Sequence, residues 1–94
     1  MTAQELTLNI AVNLGRIGRW ACEGRKSRLQ QFLSETQVFI DRLEQASKSA
    51  RFQQTFDIFK KSFDELKADT RADAQWAEMV FTWADILTHR AKLA

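Results

Sequence analysis

The sequence contains no proline and no tyrosine, and its three glycines all lie between Gly15 and Gly24. Residues that break helices are therefore rare over most of the chain. The β-branched residues never alternate with polar ones in the two-residue period of a half-buried strand. These absences indicate an all-α protein.

Cysteine and histidine are almost absent as well. Cys22 and His89 are the only thiol and the only imidazole, and they come from opposite ends of the chain. A single cysteine excludes an intramolecular disulfide and favours a reducing compartment. His89 has only Asp85, four residues earlier, on its helical face. Since there is also no glycine-rich phosphate loop, zinc-ligand spacing or nucleophile elbow, we predict no enzymatic activity, no cofactor and no metal site.

Long apolar runs and strong net charge are missing too. The apolar runs are only a few residues long, far short of the roughly 20 that cross a bilayer. The N-terminus lacks the positive region of a signal peptide. Apolar residues make up 45% of the chain and charged residues 28%, with a formal net charge of +2. This balance is typical of a soluble globular protein, so we expect a cytoplasmic location and no membrane partner.

The most informative pattern that is present is a stripe of large apolar residues at helical spacing. We call it the Phe ladder; its members are Phe52, Phe56, Phe59, Phe63 and Leu66. Steps of four and three residues place all five on one face of a helix, while polar residues fill the rest of its surface. Such a face must be buried against other helices, so the ladder predicts a helical bundle.

Similar stripes and their breaks predict four helices in one domain over residues 1–94, at about residues 3–23, 28–46, 50–67 and 71–92. Thr2 and Glu5 form a capping-box pattern, and Gly24 suits a left-handed helix end. Further caps are predicted at Ser27, at the serines of 47–49 and at Thr70. We expect an up-down-up-down four-helix bundle. The alternative has fewer, longer helices in an intertwined or helix-swapped dimer.

A second, narrow stripe of small residues runs along the first helix, through Ala11, Gly15, Gly18 and Cys22. Glycine inside a helix costs about 1 kcal/mol relative to alanine, so a compensating gain is expected from the close approach of another helix. That helix belongs either to the same chain or to a second copy. We predict a homodimer or other homo-oligomer, or contact with another protein, through an interface of Leu8, Ala11, Val12, Gly15 and Gly18.

Two other functions remain open at this level. The basic segment Arg16, Arg19, Arg25, Lys26 and Arg28 surrounds Trp20 and could bind nucleic acid or another anionic ligand. Basic side chains at the C-terminal end of a helix also complement the helix dipole, and a polar turn needs solvated residues. We favour this structural explanation over nucleic-acid binding. Trp76, Met79 and Trp83 could line a pocket for a flat hydrophobic ligand. In a bundle this small, such a stripe is more often plain core.

Overall fold

A computed structural model describes residues 1–94, which form four α-helices joined by short turns. Helix α1 spans Ala3–Glu23, α2 Lys26–Gln45, α3 Ala50–Ala68 and α4 Ala74–Arg90, and a 3₁₀ turn, Ala91–Leu93, follows. There is no strand, and the all-α, up-down-up-down four-helix bundle is confirmed. The two breaks in the apolar pattern are turns, which excludes the fused long helices. None of the helices has both the length and the apolarity of a bilayer span.

Side-chain caps start three of the four helices. The hydroxyl of Thr2 accepts the backbone N–H of Glu5 at 3.1 Å, and the Glu5 carboxylate accepts the N–H of Thr2 at 3.1 Å, so the predicted capping box is confirmed. These bonds lower the pKa of Glu5 below its usual value, with the backbone hydrogen bond as the largest cause. Ser49 and Asp73 each accept the N–H three residues later, at 3.1 and 2.9 Å. The caps satisfy amides that otherwise have no partner within the helix.

The predicted start of α2 is wrong. The helix begins at Lys26, one residue before Ser27, and its cap residue Arg25 makes no capping side-chain hydrogen bond. Gly24 ends α1 with φ of 72°, and its N–H bonds back to the carbonyl of Ala21 at 3.2 Å. The chain therefore re-enters helical geometry so soon after this left-handed turn that Ser27 already lies inside α2.

The predicted start of α4 is also wrong. The helix begins at Ala74 because Asp73, rather than Thr70, caps it. The preceding turn is held by Asp69, whose carboxylate accepts the backbone N–H of Arg71 at 3.0 Å and its guanidinium at 2.7 Å. These bonds lower the pKa of Asp69 to about 2. Ala72 then adopts φ of 47°, a left-handed conformation that interrupts any helix begun at residue 70.

The core of the bundle is built around the Phe ladder. Its four phenylalanines are at most 1% exposed, and Leu66 is 8% exposed. Facing residues of α1 are equally inaccessible: Ile10, Leu14 and Ile17 are each 0% exposed. The ladder therefore does what its spacing predicts, and it joins α1, α2 and α4 in one cluster.

Helices α2 and α4 both pack closely on α1. The backbone of α1 runs beside those of α2 and α4, whereas the backbone of α3 has few close approaches to its neighbours. The difference follows from side-chain size, because α3 presents phenylalanines to the core while α1 has Gly18 against Phe81 of α4. Polar bonds also tie α3 to α2, among them the Lys60–Glu44 ion pair and the bond from Lys67 Nζ to Gln37.

Candidate functional site

The surface of α1 that faces away from the bundle carries a second heptad-like row, which we call the outer stripe. Steps of four and three residues connect its seven members, of which the first precedes the helix: Met1, Glu5, Leu8, Val12, Gly15, Arg19 and Cys22. Six of them are exposed and Gly15 is half-buried. The apolar members are open to solvent, with Met1 65%, Leu8 39% and Val12 54% exposed. Alternating steps of this kind are the pattern by which one helix packs along another.

Gly15 gives this face room for a close neighbour. A Cβ atom built on Gly15 would have no side chain and no other helix within 4 Å. Leu8 and Val12 lie on the same side of the helix, about two turns and one turn before it. The middle of the outer stripe is thus apolar, with a gap at its C-terminal side that nothing in the chain fills.

The small-residue stripe divides between the inside and the outside of the chain. A Cβ atom on Gly18 would lie 2.7 Å from the ring of Phe81 on α4, so this glycine allows a close contact within the chain. Ala11 is 5% exposed. The structure therefore places Ala11 and Gly18 in the bundle, and of the five predicted interface residues only Leu8, Val12 and Gly15 remain accessible. Sequence periodicity could not show that α4 covers one edge of the stripe.

Phe81 was not among the predicted site residues, although it extends this apolar surface. Its ring covers Gly18, yet 39% of the residue is exposed. A large aromatic residue outside the apolar face of α4 was the signal that could have identified it. Phe81 therefore packs on Gly18 and leaves part of its surface open to solvent.

The outer stripe carries opposite charges near its two ends. Glu5 lies in the first turn of α1 and Arg19 close to its last, and both are exposed. Neither residue forms an ion pair within the chain, where the five ion pairs involve other groups. Hydrogen bonds to Thr2 lower the pKa of Glu5, so they favour its charged carboxylate. The face is therefore acidic at one end, apolar in the middle and basic at the other end.

The basic segment is exposed, but its aromatic residue is already covered. All five predicted anion-binding residues, Arg16, Arg19, Arg25, Lys26 and Arg28, lie on the surface around the α1–α2 turn. Trp20 packs on Phe32 with ring centroids 4.6 Å apart, and the guanidinium of Arg28 lies 5.8 Å from the Trp20 ring centroid. Arg25 pairs with Glu23 at 3.2 Å. Phe32 and Arg28 therefore already occupy part of the Trp20 ring surface on which a nucleobase would stack.

His89 and Cys22 are the remaining candidate residues. His89 Nδ1 bonds to the backbone carbonyl of Asp85 at 2.8 Å. Cys22 is exposed at the C-terminal end of α1. The chain has no cluster of three His, Cys, Asp or Glu side chains with the spacing of a metal site.

The two tryptophans proposed for a ligand pocket join α3 to α4. The indole N–H of Trp76 donates to the carbonyl of Leu66 at 3.0 Å, and that of Trp83 donates to the hydroxyl of Ser62 at 2.8 Å. Trp76 is 4% and Trp83 9% exposed, whereas Met79 between them is 48% exposed. Both indoles therefore serve the fold, and Met79 points outward.

Comparisons with protein-family models, with curated proteins and with solved structures found no match. The outer stripe combines accessible apolar side chains, an open glycine and unpaired charges on one rigid helix. No other surface of the molecule brings these three features together on one element.

Proposed function

We propose that this protein acts through protein–protein contact, as a homodimer assembled through the outer stripe of α1, with no enzymatic activity of its own. The observation that carries the proposal is the exposure of Leu8 and Val12 beside the open Gly15. Exposed apolar groups on a small protein are expected at a contact surface when they lie together on one element. We place the assembly in the cytoplasm, since a lone exposed cysteine suits a reducing compartment.

A second copy of the chain is the partner we favour because the stripe supplies both halves of a contact. Leu8 and Val12 project from the helix, and Gly15 offers the space that such a side chain could occupy. A two-fold dimer uses the same patch on both subunits, so one patch must carry complementary features. The outer stripe meets that requirement.

The proposal is tested by the molar mass in solution of a matched pair of variants. Val12 and Val38 are both helical valines with similar exposure, 54% and 50%, but Val38 lies on α2. Sedimentation equilibrium should give a dimer for the wild type and for Val38→Lys, and a monomer for Val12→Lys, because an ammonium in the contact loses its hydration. A wild-type protein that stays monomeric at every concentration overturns the proposal.

The second candidate function is anion or nucleic-acid binding by the basic segment. It is supported by the exposure of all five basic side chains, of which only Arg25 has an ion-pair partner. Binding to generic DNA or RNA should then weaken steeply with salt. It should also be lost when Arg25, Lys26 and Arg28 are replaced together by serine. Absence of binding at low salt removes this candidate.

A further inference from the structure

We infer that the partner of the outer stripe is the outer stripe of a second copy, paired antiparallel about a two-fold axis at Val12. The inference rests on the proposed homodimer and adds its orientation and register. It follows from the order of residues along the stripe, from their accessible volumes and from the charges that the chain leaves unpaired.

The outer stripe pairs with a reversed copy of itself to within one residue. Its steps of four, three, four, three, four and three become three, four, three, four, three and four on reversal, so the two rows coincide at Glu5, Val12 and Arg19 and are one residue apart elsewhere. With the axis at Val12, every member of the stripe lies within one position of another member on the facing helix. Antiparallel helices can therefore stay in contact along the whole of α1, as knobs-into-holes packing requires.

This register places a large side chain beside a small residue. Leu8 of each chain lies one position from the partner's Gly15, where a Cβ position has no side chain or other helix within 4 Å. Val12 meets the partner's Val12 at the axis. Helix axes approach to about 8–10 Å when the side chains between them are small enough. A parallel, in-register pair would instead set Gly15 against the partner's Gly15 and leave a void.

The same register joins the two unpaired charges. Glu5 lies opposite the partner's Arg19, and the two-fold axis repeats that pair at the other end of the contact. Glu5 uses one carboxylate oxygen to cap the helix, which leaves the other free for a guanidinium. In the parallel arrangement each charge would face its own copy, which is repulsive. The charges thus select orientation, while the apolar centre supplies most of the affinity.

Disulfide trapping tests the register directly. In Cys22→Ser/Val12→Cys the two thiols lie at the axis, so mild oxidation should give a covalent dimer. The native Cys22 should not link to the partner's Cys22, because 20 residues of helix rise separate them by about 30 Å. A disulfide needs Cα atoms within about 7 Å. Cys22→Ser/Val38→Cys serves as the control for links made by random collision and should stay monomeric on a non-reducing gel.

The outcomes of trapping separate this inference from the proposed function. A dimer that links through native Cys22, or that fails to link through Val12→Cys, overturns the antiparallel register while the homodimer stands. A wild-type chain without any dimer overturns the proposed function itself. The two failures are therefore distinguishable from the molar mass and the gel together.

Charge reversal provides an independent readout. Arg19→Glu should weaken the dimer about tenfold, because two exposed ion pairs become repulsive contacts. Adding Glu5→Arg to that variant should restore the affinity, since each end again joins an acid to a base. The helical content of both variants is followed by circular dichroism, because Glu5 also belongs to the cap of α1. If the double variant is weaker than Arg19→Glu alone, the pairing of Glu5 with the partner's Arg19 is wrong.

Discussion

At the scale of single residues, two glycines one turn apart on α1 have opposite surroundings. Gly18 lies under the ring of Phe81, so its missing side chain permits a contact with α4. Gly15 has open space above it and gains nothing within the chain. Gly18 therefore allows close packing within the bundle, whereas Gly15 is explained only by a contact outside the chain.

We predict that Gly15→Ala raises the free energy of unfolding of the monomer by about 1 kcal/mol, the helix-propensity difference between the two residues. Gly18→Ala should gain less or lose stability, because its Cβ would lie 2.7 Å from the Phe81 ring. Urea denaturation in the Val12→Lys background measures both without interference from assembly. In Phe81→Ala chains the two substitutions should become equal. Equal effects with Phe81 present would contradict the assigned contact.

Asn13 carries a buried polar group without a partner. The residue is 6% exposed, and its Nδ2 makes no hydrogen bond. We predict that Asn13→Leu raises the free energy of unfolding by about 1–2 kcal/mol, because it removes an unsatisfied buried group. Asn9, whose amide donates to the Glu5 carbonyl at 2.9 Å, is the control. If Asn9→Leu raises the free energy of unfolding as much as Asn13→Leu in urea denaturation, helix propensity alone explains the gain.

At the scale of helices, the apolar stripes could be predicted from sequence and some boundaries could not. The Phe ladder could be predicted as a helix with one buried face, because five large apolar side chains on one face must be buried together. Thr2, Ser49 and Gly24 act at the ends as their residue types indicate. The prediction of a helix start fails where several polar residues could each serve as the N-cap. Thr70 and Asp73 are three residues apart, and the choice depends on the backbone of the turn between them.

We predict that Asp73→Ala destabilises the bundle by about 1 kcal/mol, the usual effect of losing an N-cap. Its carboxylate accepts the N–H of Trp76 at 2.9 Å, and Trp76 is part of the core. Thr70→Ala should leave the thermal midpoint unchanged, because Thr70 makes no side-chain hydrogen bond and is exposed. Thermal melts of the two variants distinguish the alternatives. If Thr70→Ala lowers the thermal midpoint more than Asp73→Ala does, Thr70 is the N-cap of α4, as the sequence alone indicates.

At the scale of the whole molecule, α1 presents three different surfaces. Its apolar face fills the core, its Gly18 flank receives Phe81 of α4, and its outer stripe remains open. Sequence periodicity identified the first surface and merged the other two, because spacing shows which residues share a face but not which neighbour covers it. Spacing alone therefore groups Ala11 and Gly18 with Leu8, Val12 and Gly15, whereas the fold buries the first two.

Because one helix carries both the core and the outer stripe, folding and assembly should be linked. A dimer that forms only from folded chains raises the melting temperature with concentration, by a few degrees for each tenfold increase. We expect this dependence for the wild type and its loss in Val12→Lys. Phe59→Leu, which alters a fully buried ring, should lower the melting temperature at every concentration but keep the dependence. Circular-dichroism melts over about a hundredfold range of concentration test this. If Val12→Lys keeps the wild-type dependence, the chains assemble through another surface; if Phe59→Leu loses it, the core and the outer stripe are not separable.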